Sequence, residues 1–149
     1  MRPPAERSVA LAGLVLGLAA TLSLVFIGLG RESLLGDEAL YAAVARDSAA
    51  AGPWFPLVYD GEPYTGKPPL GIWLERVGFA LFGFDESVAR APAAVAGAIA
   101  ITLFGFGTAR RHGAFAGVVA AALLGTGHFL LIRHGLRRAV FEGPLLLAM

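Results

Sequence analysis

Several residue types that many folds depend on are absent from this chain of 149 residues. It has no cysteine, which excludes disulfide bonds and thiolate metal sites. It also lacks asparagine and glutamine, and only 15% of its residues are charged, against about 25% in typical soluble domains. The net charge of +1 provides no basic surface for nucleic acid, so no nucleic-acid partner is expected.

Apolar residues make up 56% of the chain, 20 further residues are glycine, and the mean hydropathy is +0.68. A soluble domain of this length buries only about two-thirds of its surface on folding, which is too little to hide so much apolar area. The composition therefore predicts an all-α integral membrane protein.

Three uncharged runs are long enough to cross about 30 Å of hydrocarbon as helices, at residues 8–30, 91–109 and 113–132. Arg2 and Arg7 precede the first run, which favours a cytoplasmic N-terminus. A cleaved signal peptide is the alternative for this run. It would have a shorter apolar core followed by a small-residue cleavage site, and no good site precedes Arg31.

The apolar segment 68–83 carries Glu75 and Arg76 at its middle. Because a charge at the bilayer centre costs at least about 2.5 kcal/mol, we expect an interfacial or re-entrant helix here. Three membrane spans then result, with residues 31–88 and 133–142 on the same outer face. Four spans is the alternative, and the arginines of 133–142 would fit it better under the positive-inside rule.

The predicted outer loop, 31–88, is the acidic part of the molecule, since nine of the eleven acidic residues lie between Glu32 and Glu86. A short amphipathic helix is predicted at 37–50, with Asp37 and Glu38 in its first turn and Tyr41 on the same face as Asp37. The two carboxylates either complement the helix dipole or take part in proton transfer or metal binding at the membrane surface.

Lys67 is the only lysine in a chain that otherwise uses arginine, and two prolines follow it. A compact ammonium at this place suits a phosphate group. The alternative is a lysine that extends towards water ahead of an interfacial helix.

A basic cluster, Arg133, Arg137 and Arg138, lies close to Glu142 after the third uncharged run. It either fixes membrane topology or binds an anion at the membrane surface. A further apolar run begins at Gly143 and reaches Met149. From this we expect the chain to be the N-terminal part of a longer polytopic protein.

The order of these motifs resembles the polyprenyl-phosphate-sugar glycosyltransferases of the GT-C type, in particular the ArnT-like and protein O-mannosyltransferase-like proteins and the related RgtA/B/C/D-like domain. The matching pieces are Asp37-Glu38-Ala39-Leu40-Tyr41, Lys67-Pro68-Pro69-Leu70-Gly71-Ile72-Trp73, Leu81-Phe82-Gly83 and Ala89-Arg90-Ala91-Pro92. The resemblance covers roughly residues 30 to 145.

The resemblance implies a multi-pass protein of the cell (inner) membrane. Such an enzyme transfers a sugar, with inversion, from a polyprenyl-phosphate carrier to a lipid, protein or glycan acceptor on the outer face. It implies that Asp37 is catalytic and that Lys67 lies near the donor phosphate. It also maps a second outer loop onto Arg137 and Glu142. Glu38, Tyr41 and Tyr64 complete the predicted substrate-binding set.

Two departures from the family pattern concern specificity. The residue before Lys67 is usually glutamate in the ArnT-like group and is Gly66 here, which weakens the transfer of a metal site and of aminoarabinose specificity. The second-loop carboxylate is Glu142 where the family has aspartate. No metal ligand is assigned, a divalent metal stays open, and no nucleotide cofactor is expected. A small non-catalytic polytopic membrane protein, or an inactive remnant, is the alternative function.

Overall fold

The computed structural model describes residues 4–127, which are mostly helical. The elements in chain order are α1 (Pro4–Phe26), α2 (Asp37–Ala51), β1 (Leu57–Tyr59), β2 (Glu62–Tyr64), α3 (Pro69–Phe82), α4 (Glu86–His112) and α5 (Ala114–Thr126). Helices α1, α4 and α5 pack into one bundle. Helix α2, the two strands and α3 follow α1 and precede α4 in the sequence, and they pack against one another.

Two helices of this bundle are long and apolar enough to cross a membrane, over Ser8–Phe26 and Glu86–His112. Most of their length is not buried inside the protein, and large apolar side chains such as Leu16, Leu103 and Phe104 are exposed. Exposed apolar surface of this kind fits a lipid environment. The described part of α5 is shorter, and residues 128–132 of the third predicted span lie outside the described residues.

Glycines let the three bundle helices approach closely. A Cβ on Gly117 in α5 would lie 2.6 Å from the carbonyl oxygen of Gly105 in α4, and one on Gly125 would clash with Cγ2 of Thr21 in α1. Ala121 and Ile101 are fully buried between these contacts. The bundle is therefore held by backbone proximity at small residues.

Helix α4 begins five residues earlier than the predicted span, at Glu86 instead of 91. The side chain of Asp85 accepts a hydrogen bond from the amide of Ser87 at 2.8 Å, which is the N-cap arrangement that starts a helix. The span was predicted to begin after Arg90 because that residue is charged. In the structure Arg90 lies within α4 and is buried.

The segment between α1 and α4 contains a β-hairpin that the all-α prediction omitted. Strands β1 and β2 pair antiparallel, with Tyr59 opposite Glu62 and a two-residue turn between them. Asp60 and Gly61 of this turn both have positive φ, at 51° and 82°. Asp-Gly is among the sequences that this tight turn favours, since both central residues need the left-handed region.

Helix α3 turns its two charged residues towards the protein. Glu75 and Arg76 are buried, with exposed fractions of 4% and 9%. The opposite face is apolar and exposed, as at Leu74, Leu81 and Phe82.

An apolar groove of about 570 Å³ lies between α3 and α4, lined by residues that include Val77, Leu81, Pro92 and Val95.

Candidate functional site

Helix α2 carries the first two residues of the site. Asp37 opens the helix and is exposed, whereas Tyr41, one turn later, is only 2% exposed. The hydroxyl of Tyr41 donates to Oδ2 of Asp37 at 3.5 Å. The i, i+4 relation inferred from the sequence thus brings the phenol and the carboxylate together.

The hairpin is fixed to α2 by polar contacts at Ser48. The Ser48 hydroxyl accepts a hydrogen bond from the amide of Val58 at 2.9 Å and donates to its carbonyl at 3.3 Å. Leu57 is buried in the same cluster as Tyr41 and Ile72, and Tyr64 packs against that cluster. This anchoring places the end of β2, and the Lys67 that follows it, beside the start of α2.

Lys67 meets the same tyrosine from the hairpin side. Its Nζ lies 5.8 Å from the centre of the Tyr41 ring, a distance at which a cation and an aromatic face attract. A hydrogen bond with the Tyr41 hydroxyl, together with electrostatic interactions with Tyr41 and Asp37, raises the pKa of Lys67. Burial raises the pKa of Tyr41, partly offset by Lys67. The lysine is therefore cationic and the tyrosine neutral at ordinary pH.

Four of the predicted site residues, Asp37, Tyr41, Tyr64 and Lys67, therefore come together, with Asp37 and Lys67 exposed and Tyr41 buried beneath them. A carboxylate and an ammonium, contributed by segments far apart in the chain, both reach the phenol of Tyr41. Such an arrangement can accept a proton at the carboxylate and hold an anion at the ammonium.

Gly66 has a local reason to be glycine. A Cβ at this position would lie 2.8 Å from the Tyr64 hydroxyl oxygen and 2.9 Å from its Cζ. The ring of Tyr64 thus occupies the space in which the glutamate of the ArnT-like pattern would begin.

Glu38 lies elsewhere, in the interior. Its carboxylate forms an ion pair with Arg90, with Oε2 at 3.0 Å from Nη2, and both side chains are more than nine-tenths buried. Among residues 4–127 no three acidic or histidine side chains are grouped so that they could hold a metal ion. Within this part of the chain, neither Glu38, whose two carboxylate oxygens are bound by Arg90, nor Gly66, which has no side chain, supplies a metal ligand.

Glu75 is a second buried acid near this pair. Burial, with a smaller contribution from the charge of Glu38, raises the pKa of Glu75 to about 9. Its Oε2 is buried without a hydrogen-bond partner. This side chain is therefore a neutral carboxylic acid at pH 7.

The loop between α2 and β1 is held by α3. The guanidinium of Arg76 donates to the carbonyls of Pro53 and Gly52 at 2.6 and 2.7 Å and stacks 4.1 Å from the centre of the Trp54 ring. The indole of Trp73 donates to the carbonyl of Trp54 at 2.9 Å. Arg76, one of the two charged residues that led us to predict an interfacial helix, thus holds the connection between α2 and the hairpin in place.

Arg137 and Glu142 lie outside the described residues, so the structure does not place them relative to Asp37 and Lys67. Arg90, the partner of Glu38, belongs to the Ala89-Arg90-Ala91-Pro92 motif, but no role was predicted for it from the sequence. A lone arginine at the start of an apolar helix is the signal that could have identified it, since such a charge needs a partner.

Comparison with known proteins identifies the family of this chain. The sequence profile of the dolichyl-phosphate-mannose-protein mannosyltransferase family matches residues 66–148, which is more than half of the chain. The chain therefore belongs to this family, and the resemblance stated from its motifs is confirmed.

Two curated relatives match over stretches of similar length. An uncharacterized protein of Aquifex aeolicus is 33% identical over 73 residues, covering 48% of this chain and 15% of its own length. The undecaprenyl phosphate-alpha-4-amino-4-deoxy-L-arabinose arabinosyl transferase of Pseudomonas savastanoi pv. phaseolicola is 32% identical over 87 residues, covering 58% and 16%. The chain thus spans about a sixth of the length of these relatives. No solved structure matches it significantly.

Proposed function

We propose that this chain is part of a membrane glycosyltransferase that moves a sugar from a polyprenyl-phosphate carrier to an acceptor on the outer face of the cell membrane. The observation that carries the proposal is the meeting of Asp37 and Lys67 at Tyr41. Family membership supports the reaction class, and the arabinosyl transferase supports a lipid-phosphate donor.

In the proposed reaction the acceptor is a hydroxyl group and Asp37 is the general base. The acceptor oxygen bonds to the anomeric carbon, the bond from that carbon to the phosphate oxygen breaks, and the acceptor proton passes to the Asp37 carboxylate. The exposed position of Asp37 leaves its second oxygen accessible to such an acceptor.

Lys67 has the complementary task. The leaving group is a lipid phosphate, whose negative charge grows as the bond breaks, and a preorganised cation stabilises that charge. Tyr41 holds the ammonium in place. Tyr64 packs against the cluster that contains Tyr41, and in the proposal it forms part of the wall beside the donor. Arg137 would add a second cation and Glu142 a further polar contact to the substrate.

The proposed topology has three membrane spans, at about 8–30, 91–109 and 113–132, with α2, the hairpin and α3 on the outer face. The apolar exposed face of α3 supports an interfacial position for this helix. The apolar groove between α3 and α4 has the character needed for an isoprenoid chain.

The test measures sugar transfer in membranes that contain the full protein. Two labelled donors are offered, undecaprenyl-phosphate 4-amino-4-deoxy-L-arabinose and dolichyl-phosphate mannose, and label is counted in the lipid and protein fractions. We expect transfer from one donor. We also expect that Asp37→Asn reduces it by about 100-fold or more, as for loss of a general base.

Glu62→Gln is the matched control, because Glu62 is an exposed carboxylate of the same loop. It should leave transfer unchanged. Full transfer by Asp37→Asn at equal protein level would overturn the proposed role of Asp37. No transfer from either donor would favour a non-catalytic membrane protein.

A further inference from the structure

Arg90 makes full use of its guanidinium inside the protein. Nε and Nη2 donate to the two carboxylate oxygens of Glu38 at 3.1 and 3.0 Å. Nη1 donates to the carbonyls of Leu29 and Glu32 at 2.5 and 2.8 Å, and Nη2 also donates to that of Ser33 at 3.3 Å. All five N–H groups of the side chain are occupied.

These partners belong to the segment that leads from α1 into α2. Leu29, Glu32 and Ser33 lie in the connection between the two helices, and Glu38 lies in the first turn of α2. Arg90 itself belongs to α4. One side chain of α4 therefore fixes the whole path by which the chain reaches Asp37.

The start of α2 needs such an anchor. Its N-cap position is Gly36, with φ at 58° and no side chain to cap the helix. Without a cap the first turn of a helix frays readily, because its amide groups lack partners. The pairing of Glu38 with Arg90 holds this turn from the interior.

Glu38 and Asp37 point in different directions for a helical reason. Successive residues are turned by about 100° around a helix. While Glu38 is held inward by Arg90, with 3% of its side chain exposed, Asp37 is turned outward to the surface beside Tyr41.

We propose that Arg90, acting through Glu38, is a positioning residue that sets the orientation of Asp37 in the site. This inference rests on the proposed function of Asp37. It moves Glu38 from the substrate-binding set to a supporting role, because a carboxylate bound to Arg90 on both oxygens and removed from solvent has no free face for a sugar.

The test combines transfer kinetics with a spin label that reports the loop directly. Residues 1–149 contain no cysteine, so Leu35→Cys, at an exposed position of the connecting segment, is the one site for a nitroxide label in this part of the protein, and any cysteine elsewhere in the full protein is replaced by serine. Arg90→Lys keeps the charge but loses the planar fork that serves several acceptors together. Glu38→Gln keeps the shape and removes the charge.

We expect both variants to increase the motion of the label. We also expect kcat for transfer to fall by about tenfold to 100-fold with KM almost unchanged, since a small misplacement of a catalytic group has an effect of this size. The double variant should lose little more than either single one, because both act on the same unit. Arg110→Lys, an exposed arginine at the other end of α4, should change neither measurement.

An immobile label in Arg90→Lys would overturn the inference, and so would a rise in KM at constant kcat, which would place Glu38 in direct contact with substrate. Asp37→Asn separates this result from the proposed function, since it should abolish transfer while the label stays immobile. If the unaltered protein transfers no sugar yet Arg90→Lys mobilises the label, the proposed function fails and the anchoring of α2 stands.

Discussion

The bundle of α1, α4 and α5 and the outer layer of α2, the hairpin and α3 are held together in different ways. In the bundle, Thr21, Thr102 and Thr126 each donate to a carbonyl of their own helix. In the outer layer, side chains bond from one element to another, as Ser48 does to Val58 and Arg76 to Gly52.

The difference matches the surroundings expected for each part. Helices in lipid gain little from hydrophobic burial against each other, so close contact at small residues holds them. The outer layer must keep a few polar side chains in fixed positions, which needs directional bonds. The predictions below test whether the two parts respond to substitution as differently as this comparison requires.

The largest effect is expected at Lys67, where the outer layer carries its proposed chemistry. Lys67→Gln should reduce kcat for sugar transfer by about 100-fold, the usual cost of losing a group that stabilises developing charge. Thermal stability should change little, because the side chain is exposed and a cation–π contact at an exposed site, here with Tyr41, is worth only about 0.5–1 kcal/mol. Arg46→Gln, which removes another exposed cation of the same layer, is the control and should retain transfer.

Glu75 should make the stability of the outer layer depend on pH. The pKa of this acid is raised from 4.5 to about 9, so the folded state binds a proton that the unfolded state releases. Between pH 4.5 and 9 the free energy of unfolding should therefore fall as pH rises, by up to about 1.4 kcal/mol per unit.

Glu75→Gln keeps the shape of the neutral acid and removes this dependence. As the pH is raised from 5 to 9, we expect the melting temperature of the variant to increase relative to that of the unaltered protein. Parallel melting curves at all pH values would show that Glu75 is not held neutral by burial.

Arg76→Lys should loosen the connection between α2 and the hairpin. It loses the paired bonds to the Pro53 and Gly52 carbonyls and the stacking on Trp54, for which about 1.5–3 kcal/mol is expected. The chain has only two tryptophans, Trp54 and Trp73, and both lie at this contact. Their fluorescence should shift to longer wavelength as water enters, whereas an unchanged spectrum and melting temperature would contradict the clamp.

The smallest effect is a change in stability on replacing either of two glycines of the bundle by alanine. One replacement should destabilise the protein and the other should stabilise it. Gly117→Ala puts a methyl group 2.6 Å from the Gly105 carbonyl oxygen and should destabilise the protein by about 1 kcal/mol or more. Gly107→Ala meets nothing within 4 Å and should stabilise α4 by about 0.5–1 kcal/mol. Melting temperatures that move in the same direction would deny that backbone contact holds the bundle.

The sequence located the helices well, because uncharged runs and helical spacing depend only on nearby residues. It predicted helices at 37–50 and 68–83, and the structure has α2 at Asp37–Ala51 and α3 at Pro69–Phe82. The hairpin was missed, since strands of three residues are too short to show a period.

The candidate site was predictable only in part. The pairing of Asp37 with Tyr41 follows from their spacing within one helix, and the structure adds Lys67 from the hairpin. The partnership of Glu38 with Arg90 joins residues 52 positions apart, so no local pattern reveals it. In the sequence, the charge of Arg90 indicated a helix end and that of Arg76 an interfacial helix. In the structure, both charges are satisfied by hydrogen bonds that form only in the folded chain.

The hydrogen bonds from Arg90 to the segment after α1 have a consequence for how the protein sits in bilayers of different thickness. A membrane helix that is too long or too short for its bilayer adjusts by tilting. Because Arg90 in α4 holds the carbonyls of Leu29 and Glu32 just beyond α1, we expect the two helices to tilt as a pair in a membrane. We then expect the height of Asp37 relative to α4 to depend little on the thickness of the lipid.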